Sequence, residues 1–369
     1  MLETAYESYK TATWAIPDDF LSREHYLRTL ARLDLRSSPG YPYMLSAPTN
    51  RDWFRVSKDG TWDTGRVDQM WKIVQGKLAG QGADPIRIFI KPEPHKRKKI
   101  EEGRFRIISS VSVADQIVDH MLFAECNDAL INNWQFVPNK AGWTHLMGGW
   151  KMIPAASWIA ADKSAWDWTA KYWLFELVLS LRIMLCSNMS PEWMERAVRR
   201  YRELFEHPLF ITSGGQLLRQ KHTGIMKSGC VNTISDNSIM QYFLHLRVCL
   251  ELGIEPSTLF AMGDDTLQEP VVGAEYFEYL GQFCRLKDWQ RANEFAGFRF
   301  HGRTVEPLYK GKHAFNLLYM DPDNLSQMSD AYSLLYHRSR FGGWVKDIFN
   351  KMGVGVRSNE WFDLVFDGY

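Results

Sequence analysis

Three aspartates stand where short apolar segments end, and their spacing could support metal chemistry. Asp162 follows the apolar run 157–161, and Asp264 and Asp265 follow the apolar run 258–262. Mg²⁺ prefers oxygen ligands, usually one or two carboxylates together with substrate phosphates. If both runs are strands ending at one sheet edge, the carboxylates could hold an ion pair ~3.5–4 Å apart, which clamps the attacking and leaving oxygens of a displacement.

Each part of this pattern also has a simpler explanation. An Asp-Asp pair in a tight turn often serves turn formation alone, and Asp162 could be the N-cap of a following helix. Neither explanation accounts for two apolar segments that both run up to the carboxylates. Gly263 also suits a turn in which backbone and metal approach closely. The pattern by itself leaves a metal site and turn chemistry open.

Basic residues dominate the segment 91–106. They are Lys91, Lys96, Arg97, Lys98, Lys99, Arg104 and Arg106, against Glu93, Glu101 and Glu102. Such a loop could neutralise a triphosphate during phosphoryl transfer. A solvated basic patch and a localisation signal are the alternatives. Triphosphate binding is favoured over both alternatives because predicted strands at 86–90 and 105–108 fix the loop at both ends.

The segment 227–237 (KSGCVNTISDN) joins a glycine-containing loop to a predicted helix. Thr233 and Asn237 are four residues apart, so both lie on one face of that helix. Small polar side chains on one face could recognise a sugar 2′-hydroxyl, the group that separates RNA from DNA. A helix start with Ser and Asn in its first turn explains the same residues equally well.

The elements that must position these residues alternate irregularly. Residues 1–36 are predicted to be helical, with an amphipathic run from Ser22 to Leu35. Further helices are predicted at 114–131, 171–186, 191–205, 233–252 and 274–286. Strands are predicted at 86–90, 105–108, 157–161, 258–262 and 266–268, and loops at 37–43 and 213–229. This order favours an α+β fold, a sheet with helices on one face, over a regular βαβ series.

Composition indicates a folded, densely packed chain. It has 369 residues, 45% of them hydrophobic, which is enough for two or three subdomains. The net charge of +1 means that nucleic-acid binding must come from locally arranged charge. Five scattered cysteines suggest neither disulfides nor a thiolate zinc site and favour a reducing compartment. No apolar run is long enough to span a bilayer, so no intrinsic membrane span is expected.

Taken together and in order, the motifs DKSAWD at 162–167, SGCVNTISDN at 228–237 and GDD at 263–265 resemble motifs A, B and C of the viral RNA-dependent RNA polymerase family. The likeness is nearest to the sobemovirus, polerovirus and barnavirus lineage, with picornavirus-type enzymes more distant. It implies template-directed RNA synthesis, in which a ribonucleoside triphosphate reacts with an RNA 3′-hydroxyl and pyrophosphate leaves by a two-metal mechanism. It also implies two Mg²⁺ ions, with Mn²⁺ as a substitute.

The resemblance further implies a right-hand polymerase: an α+β fold with fingers, palm and thumb, in which an antiparallel palm sheet is backed by helices. The implied subdomains are fingers at 1–160 and 175–220, palm at 161–174 and 221–300, and thumb at 301–369. The 36 residues before the SSPG sequence are short for the family. We therefore expect either a small fingertip extension or a chain that begins inside a larger polyprotein.

Roles carry over from the family residue by residue. The implied metal ligands are Asp162, Asp264 and Asp265. The implied ribose-recognition residues are Asp167, Thr233 and Asn237. The implied hinge loop, which moves with the template, contains Ser228 and Gly229. The implied lining of the triphosphate channel is Lys91, Lys99, Arg104 and Arg106. The implied guides of template and primer strands are Ser38, Pro39 and Gly40, within SSPGYPY.

Two implied assignments fit the family pattern less closely. Lys287 (in CRLKDW) is the candidate general acid that protonates the pyrophosphate. Its neighbour Asp288 would raise the pKa of Lys287 rather than lower it. The sequence FAGFRF at 295–300 resembles a degenerate primer-grip hairpin.

Two other functions compete with this interpretation. A reverse transcriptase shares the palm and two aspartates, but that class excludes ribonucleotides with a bulky side chain, against Asp167 and Asn237. A catalytically silent RNA-binding replicase subunit would not need Asp162, Asp264 and Asp265 intact. The implied partners are RNA template and primer, ribonucleoside triphosphates, and a viral genome-linked protein or other replicase proteins. The implied location is the host cell cytoplasm, at membrane-associated replication sites reached through partners.

Overall fold

Three β-sheets are set among α-helices in the computed structural model, which describes residues 1–271 and 275–368. The helices are α1 (Leu2–Tyr9), α2 (Arg23–Leu30), α3 (Asn50–Trp53), α4 (Thr64–Leu78), α5 (Arg97–Glu101), α6 (Val113–Asn132), α7 (Trp166–Thr169), α8 (Tyr172–Met184), α9 (Pro191–Phe205), α10 (Thr233–Leu252), α11 (Glu275–Phe283), α12 (Lys310–Leu318), α13 (Leu325–Leu335), α14 (Gly342–Lys351) and α15 (Asn359–Asp367). The strands are β1 (Ile86–Ile90), β2 (Ile107–Ser110), β3 (Ile159–Lys163), β4 (Leu209–Thr212), β5 (Leu217–Arg219), β6 (Leu259–Met262), β7 (Asp265–Gln268), β8 (Leu286–Arg291), β9 (Glu294–Phe295), β10 (Phe298–His301) and β11 (Thr304–Pro307).

The central sheet has the strand order β6-β7-β3-β8, and every neighbouring pair is antiparallel. β6 and β7 form a hairpin that turns at Gly263, whose φ of 65° is the left-handed conformation that glycine adopts without strain. Ala161 of β3 faces Thr266 of β7 across the sheet. The ends of β3 and of the β6–β7 hairpin therefore lie side by side.

Helices α10 and α11 back the central sheet, with α10 packed on β6 and α11 on β8. α10 is buried nearly all round, and α8 packs on another of its sides. A helix that is apolar on most faces is a core element. It stops at Gly253, which adopts the left-handed conformation typical of a helix C-terminus. α10 is thus the axis of the main hydrophobic core.

Two further sheets flank the central one. The sheet β2-β1-β4-β5 carries the antiparallel hairpin β1–β2, whose tip is the basic segment, with β4 parallel to β1. The sheet β11-β10-β9 adjoins the central sheet through β9, which packs on β3 and β7. Both flanking sheets therefore bring loops toward the end of β3.

Buried ion pairs join the helices around α10. Arg182 of α8 donates to Asp236 of α10 at 2.7 Å, and both side chains are fully buried. Asp236 also accepts from the Tyr201 hydroxyl of α9 at 2.9 Å. Arg200 of α9 donates to Asp119 of α6 at 2.5 Å. The bonds from Arg182 and Tyr201 to Asp236 fix the rotation of α10, on which Asn237 follows Asp236.

Most predicted elements are confirmed to within a few residues. The confirmed helices are α6, α8, α9 and α10, and the confirmed strands are β1, β3, β6 and β7. The predicted α+β arrangement, an antiparallel sheet with helices on one face, is confirmed as well. Among the described residues, no helix is both long and apolar enough to cross a membrane.

Several segments differ from their predictions because charge and glycine content masked the local structure. The strand predicted at 105–108 is displaced to Ile107–Ser110, and the basic loop contains the short helix α5. The amphipathic run predicted to reach Leu35 ends at Leu30. The loop predicted at 213–229 contains β5, which pairs with β4 although all three of its residues are exposed. Pairing to a neighbouring strand, and not an apolar pattern, creates β5.

The helix predicted at 274–286 is also corrected. α11 ends at Phe283, and Leu286–Arg291 forms strand β8. The predicted first residue, Ala274, lies outside the described residues. β8 is an edge strand whose residues are mostly exposed, so its sequence carries no alternating apolar signal. Only its pairing with β3 identifies it as a strand.

Removing one partner of the Arg182–Asp236 pair should strongly destabilise the protein. We expect Arg182→Met to lower the free energy of unfolding by ~3–5 kcal/mol, because it leaves a buried carboxylate without its cation. Urea denaturation followed by tryptophan fluorescence measures the loss. The control is Arg357→Met, which breaks an exposed pair with Asp330 and should cost at most about 1 kcal/mol. Equal losses in the two variants would contradict the role assigned to the buried pair.

Candidate active site

Asp162, Asp264 and Asp265 meet at one end of the central sheet. Because Ala161 faces Thr266, the next residues along the two strands, Asp162 and Asp265, are neighbours on the opposite sheet face. Asp264 is exposed at the tip of the β6–β7 hairpin. The structure thus brings the three aspartates together across about a hundred residues of sequence.

The electrostatics of this group show how close the carboxylates are. Burial, followed by the negative charges of Asp264 and Asp162, raises the pKa of Asp265 to about 6 against a lowering influence from Lys163. A carboxylate that neighbouring carboxylates make harder to ionise favours a neutralising cation. The donor set, three carboxylates with no sulfur or imidazole among them, suits a hard divalent ion such as Mg²⁺.

The carboxylates are not already gathered around one point. Among residues 1–271 and 275–368, no set of three or more Asp, Glu, His or Cys side chains is arranged as a ready metal cage. Asp162 instead accepts a hydrogen bond from Lys287 Nζ. The chemical identity of the donors fits Mg²⁺, and Lys287 contacts one of the two carboxylate oxygens of Asp162.

A β-bulge aims Lys287 at Asp162. Asp162 faces Asp288 on β8, but Lys163 faces Leu286, so Lys287 is an extra residue without a partner. A bulge of this kind re-aims the side chain that it carries. The hydrogen bond to Asp162 is the main cause of the raised pKa of Lys287, and Asp288 adds to it. The predicted rise in the pKa of Lys287 caused by Asp288 is confirmed, but the larger effect of Asp162 was not predicted.

Sequence reasoning also missed Lys163, which lies beneath the carboxylates. Its side chain is buried, and Nζ donates to Thr266 Oγ1 at 2.7 Å and to the Asp264 carbonyl at 3.3 Å. Burial lowers the pKa of Lys163 to about 8. The alternation of β3 is the signal that could have found it, because residue 163 must face the helices if Asp162 faces solvent.

Asp167 and Asn237 form a polar corner beside the aspartates. Asn237 accepts from Trp166 Nε1 at 2.9 Å, and its amide lies 3.5 Å from Asp167 Oδ1. Burial raises the pKa of Asp167, Asp264 adds to the rise, and Asn237 and Arg106 oppose it. Asp167 is therefore within electrostatic reach of both the acidic group and the basic segment.

The loop before α10 is docked on strand β2. Ser228 Oγ accepts from the Ser109 amide at 3.1 Å, and the Gly229 amide donates to the Ser109 carbonyl at 2.9 Å. A Cβ atom at Gly229 would lie 2.4 Å from that carbonyl oxygen, so only glycine fits. The Thr233 hydroxyl donates to the carbonyls of Lys227 and Cys230. Its predicted role at the ribose, like the hinge role of the loop, stays a prediction.

The basic segment is organised around Glu93. Arg106 lies 3.5 Å and Lys91 lies 3.6 Å from its carboxylate oxygens, and Lys312 of α12 donates to it at 3.2 Å. Burial opposes ionisation of Glu93, but these cations outweigh it and lower the Glu93 pKa. Lys99 is exposed on α5, and the exposed Arg104 pairs with Glu102. The link from Glu93 to α12 was not foreseen from the sequence.

The SSPG sequence is packed against the start of α6. The Val113 amide donates to the Pro39 carbonyl at 2.8 Å, and Pro39 and Gly40 are buried while Ser38 is half-buried. Gly40 has a φ of 67°, and a Cβ atom there would lie 2.9 Å from Ser112 Cα. Contact of these residues with template or primer stays a prediction.

Tyr309 is a further residue of the acidic cleft that sequence reasoning missed. The cleft, of about 180 Å³, is lined by Asp162, Asp265, Lys287 and Tyr309 among others. The ring of Tyr309 lies over Gly297, where a Cβ atom would come within 3.3 Å of the ring edge. Burial and then the three aspartates raise the pKa of Tyr309. Gly297 lies within the FAGFRF sequence, so β9 and β10 help to shape the cleft.

Comparison with known proteins identifies the family of this fold and site. The family model described as viral RNA-dependent RNA polymerase matches residues 21–268. The chain belongs to this family. It is 33% identical over 299 residues to the replicase polyprotein P2AB of Southern cowpea mosaic virus, a match that covers 75% of this chain and 30% of that polyprotein.

Two other relatives agree with this membership. The RNA-directed RNA polymerase of Mushroom bacilliform virus is 29% identical over 268 residues, covering 67% of this chain and 63% of that protein. The Sicinivirus 3Dpol RNA-dependent RNA polymerase superposes with a TM-score of 0.72 at 17% identity, covering 91% of this chain and 78% of that chain. The predicted lineage and right-hand fold are confirmed. The chain spans about 30% of the replicase polyprotein P2AB that it resembles.

Proposed function

We propose that this chain catalyses template-directed RNA synthesis for replication of a viral RNA genome. In this reaction a ribonucleoside triphosphate is added to an RNA 3′-hydroxyl and pyrophosphate is released. The observation that carries the proposal is the meeting of Asp162, Asp264 and Asp265 on one sheet face. The polar corner of Asp167 and Asn237 and the basic segment border that same face. A polymerase needs these three features together.

Asp162, Asp264 and Asp265 are the proposed holders of two Mg²⁺ ions, for which Mn²⁺ can substitute. Bound there, the ions would lower the pKa of the attacking hydroxyl and neutralise the triphosphate. Lys287 is the proposed general acid for the leaving pyrophosphate. The hydrogen bond to Asp162 raises the pKa of Lys287, which keeps the proton on Nζ but makes the lysine a weaker acid until that bond is released. Its contact with Asp162 places that proton beside the acidic group.

Arg106 and Lys91 are the proposed first contacts of the triphosphate. Both now face the carboxylate of Glu93. A triphosphate carries more negative charge than one carboxylate, so it competes well for these cations. Lys99 and Arg104, exposed on the same segment, would line the approach. Glu93 would keep the cations in position before the nucleotide arrives.

Asp167 and Asn237 are the proposed readers of the ribose 2′-hydroxyl, with Thr233 supporting the loop beside them. The Asn237 amide and the Asp167 carboxylate lie next to each other, so together they present a donor and an acceptor. A hydroxyl can accept from the amide and donate to the carboxylate, whereas a deoxyribose leaves the two groups only their weak contact with each other. Ser228 and Gly229, docked on β2, would form the hinge that follows the template.

The subdomain assignment is part of the proposal. Fingers would comprise 1–160 and 175–220, palm 161–174 and 221–300, and thumb 301–369, of which the structure describes residues up to 368. The pairing of Lys312 with Glu93 supports a contact between thumb and fingers. Ser38, Pro39 and Gly40 would guide template and primer by holding the start of α6.

The proposed partners follow from polymerisation itself and from the relatives. They are an RNA template and primer and the four ribonucleoside triphosphates. Two of the relatives are replicase polyproteins of plant viruses by their names and organisms. We therefore propose that a genome-linked protein or other replicase proteins act with this chain. The proposed place of action is the host cytoplasm, at membrane-associated replication sites.

Ribonucleotide incorporation on a primed RNA template tests the proposal. With Mg²⁺ or Mn²⁺, we expect the wild-type chain to extend the primer. Asp264→Ala should lower the rate by at least about a thousandfold, because it removes charge that holds the transition state. Gel analysis of primer extension measures both rates.

The control for this experiment is Asp347→Ala. Asp347 is an exposed aspartate on α14, paired with Lys351 one helical turn away. Its removal should leave extension unchanged. Extension that survives in Asp264→Ala would show that the metal site is misplaced or that the activity belongs to a contaminant. Retained RNA binding without extension by the wild type would favour the silent-scaffold function.

The enzyme's discrimination between ribonucleotides and deoxynucleotides tests the role of the polar corner and also the reverse-transcriptase alternative. We expect Asn237→Ala to reduce the preference for ribonucleotides over deoxynucleotides by about 10- to 100-fold, the value of a hydrogen bond within a charged group. Competing kcat/KM values for the two triphosphates measure the preference. A general loss of activity lowers both kcat/KM values by the same factor and so does not change their ratio.

Asn350→Ala, which changes an exposed asparagine on α14, is the control and should keep the wild-type ratio. An unchanged ratio in Asn237→Ala would remove Asn237 from sugar recognition. A wild-type preference for deoxynucleotides would support a reverse transcriptase.

A further inference from the structure

Lys163 places its ammonium under the three aspartates. Nζ donates to Thr266 Oγ1 at 2.7 Å, to the Asp264 carbonyl at 3.3 Å and to the Ala161 carbonyl at 3.5 Å. These acceptors belong to β3 and to the turn and first residues of β7. The side chain therefore ties the end of β3 to the hairpin that carries Asp264 and Asp265.

Strand alternation puts charges of opposite sign on the two faces of the sheet. Ala161, Lys163 and Thr266 share the face covered by helices, whereas Asp162 and Asp265 share the open face. The ammonium on one face and the carboxylates on the other are separated only by the thickness of the backbone. Lys163 is accordingly within electrostatic reach of all three aspartates.

Burying an ammonium costs free energy unless its surroundings compensate. Only 6% of the surface of Lys163 is exposed, so water does not solvate its ammonium. Three oxygen acceptors and three nearby negative charges supply the compensation. The acidic group gains equally, since its mutual repulsion is partly cancelled by a cation that is part of the chain.

We propose that Lys163 is a positioning residue, a built-in counter-cation that holds Asp162, Asp264 and Asp265 together before a divalent ion binds and that limits how tightly the ion binds. The proposal rests on the metal site of the proposed function. A second cation, Lys287, reaches Asp162 from the open face, but its side chain is exposed and can move away. Lys163 is buried, so its charge stays when the ion arrives.

The proposal predicts opposite effects on the ion-free and the ion-bound protein. In Lys163→Met the aspartates lose their counter-charge, so the ion-free protein should melt at a lower temperature. Mn²⁺ then supplies the missing positive charge without repulsion from the lysine. We expect Mn²⁺ to bind about tenfold more tightly than to the wild type, and the rise in Tm caused by Mn²⁺ to be larger.

The experiment uses the full chain with Mn²⁺ alone as the probe, without RNA or nucleotide. Isothermal titration gives the affinity, and thermal melting in EDTA and in Mn²⁺ gives the two Tm values. Lys163→Gln is the second variant, because glutamine keeps a hydrogen-bond donor and removes the charge. It should show the same tighter binding with less loss of stability in EDTA.

Lys140→Met is the matched control. Lys140 is also a buried lysine whose Nζ donates to backbone carbonyls, those of Val137 at 2.7 Å and Trp134 at 2.8 Å, and burial lowers the pKa of Lys140 to about 8 as well. Its substitution should lower Tm equally in EDTA and in Mn²⁺ and leave the affinity unchanged. Thr266→Val, which removes one acceptor and keeps the lysine, should likewise leave the affinity near the wild-type value.

The outcomes separate this inference from the proposed function. Wild-type Mn²⁺ affinity in both Lys163 variants, with Tm changes like those of Lys140→Met, would reduce Lys163 to a structural residue while the metal site stands. Tighter binding in both variants supports the counter-cation. Failure of the wild type to bind Mn²⁺ would overturn the proposed metal site, and this inference with it.

Discussion

Carboxylates of like charge repel one another, and a site built from three of them must hold them together against that repulsion. In this protein the backbone pairing of β3 with β7 sets Asp162 beside Asp265, and the β6–β7 turn adds Asp264. Lys163 from below and Lys287 from the side supply positive charge. The sheet thus determines the positions of the carboxylates, and the two lysines place positive charge beside them.

The rest of the chain can be understood as support for that sheet. α10 lies behind it, and the buried pair of Asp236 with Arg182 fixes the rotation of the helix. The next residue, Asn237, consequently points to the corner formed with Asp167. On the other side of the cleft, the β1–β2 hairpin carries Arg106 toward the same corner. A structural ion pair and a proposed substrate contact are therefore neighbours on one helix.

The sequence predicted the parts of this arrangement that leave a local pattern. Apolar runs ending in aspartate revealed β3 and the β6–β7 hairpin, and long apolar helices such as α10 were placed almost to the residue. The motifs also predicted the family correctly. These features depend on residues close together in the chain or on the order of motifs.

What the sequence could not reveal depends on pairing between distant segments. β8 and β5 are exposed edge strands, so no apolar alternation marks them. The bulge that turns Lys287 toward Asp162 exists only in the register of β8 against β3. The burial of Lys163 follows from which face of β3 is covered, and the approach of Tyr309 to the cleft follows from the β9–β10 turn at Gly297. Each of these features depends on tertiary contacts, and the types of the residues concerned give no sign of it in the sequence.

We propose that the three aspartates form one ion-binding site that takes up two divalent ions together with a nucleotide. A crystal structure with Mn²⁺, primed RNA and a non-hydrolysable ribonucleoside triphosphate, with anomalous scattering to locate manganese, tests this site most directly. We expect two manganese peaks ~3.5–4 Å apart on Asp162, Asp264 and Asp265, with Lys287 displaced from Asp162. Manganese bound elsewhere, or an intact Lys287–Asp162 pair with nucleotide in place, would contradict it.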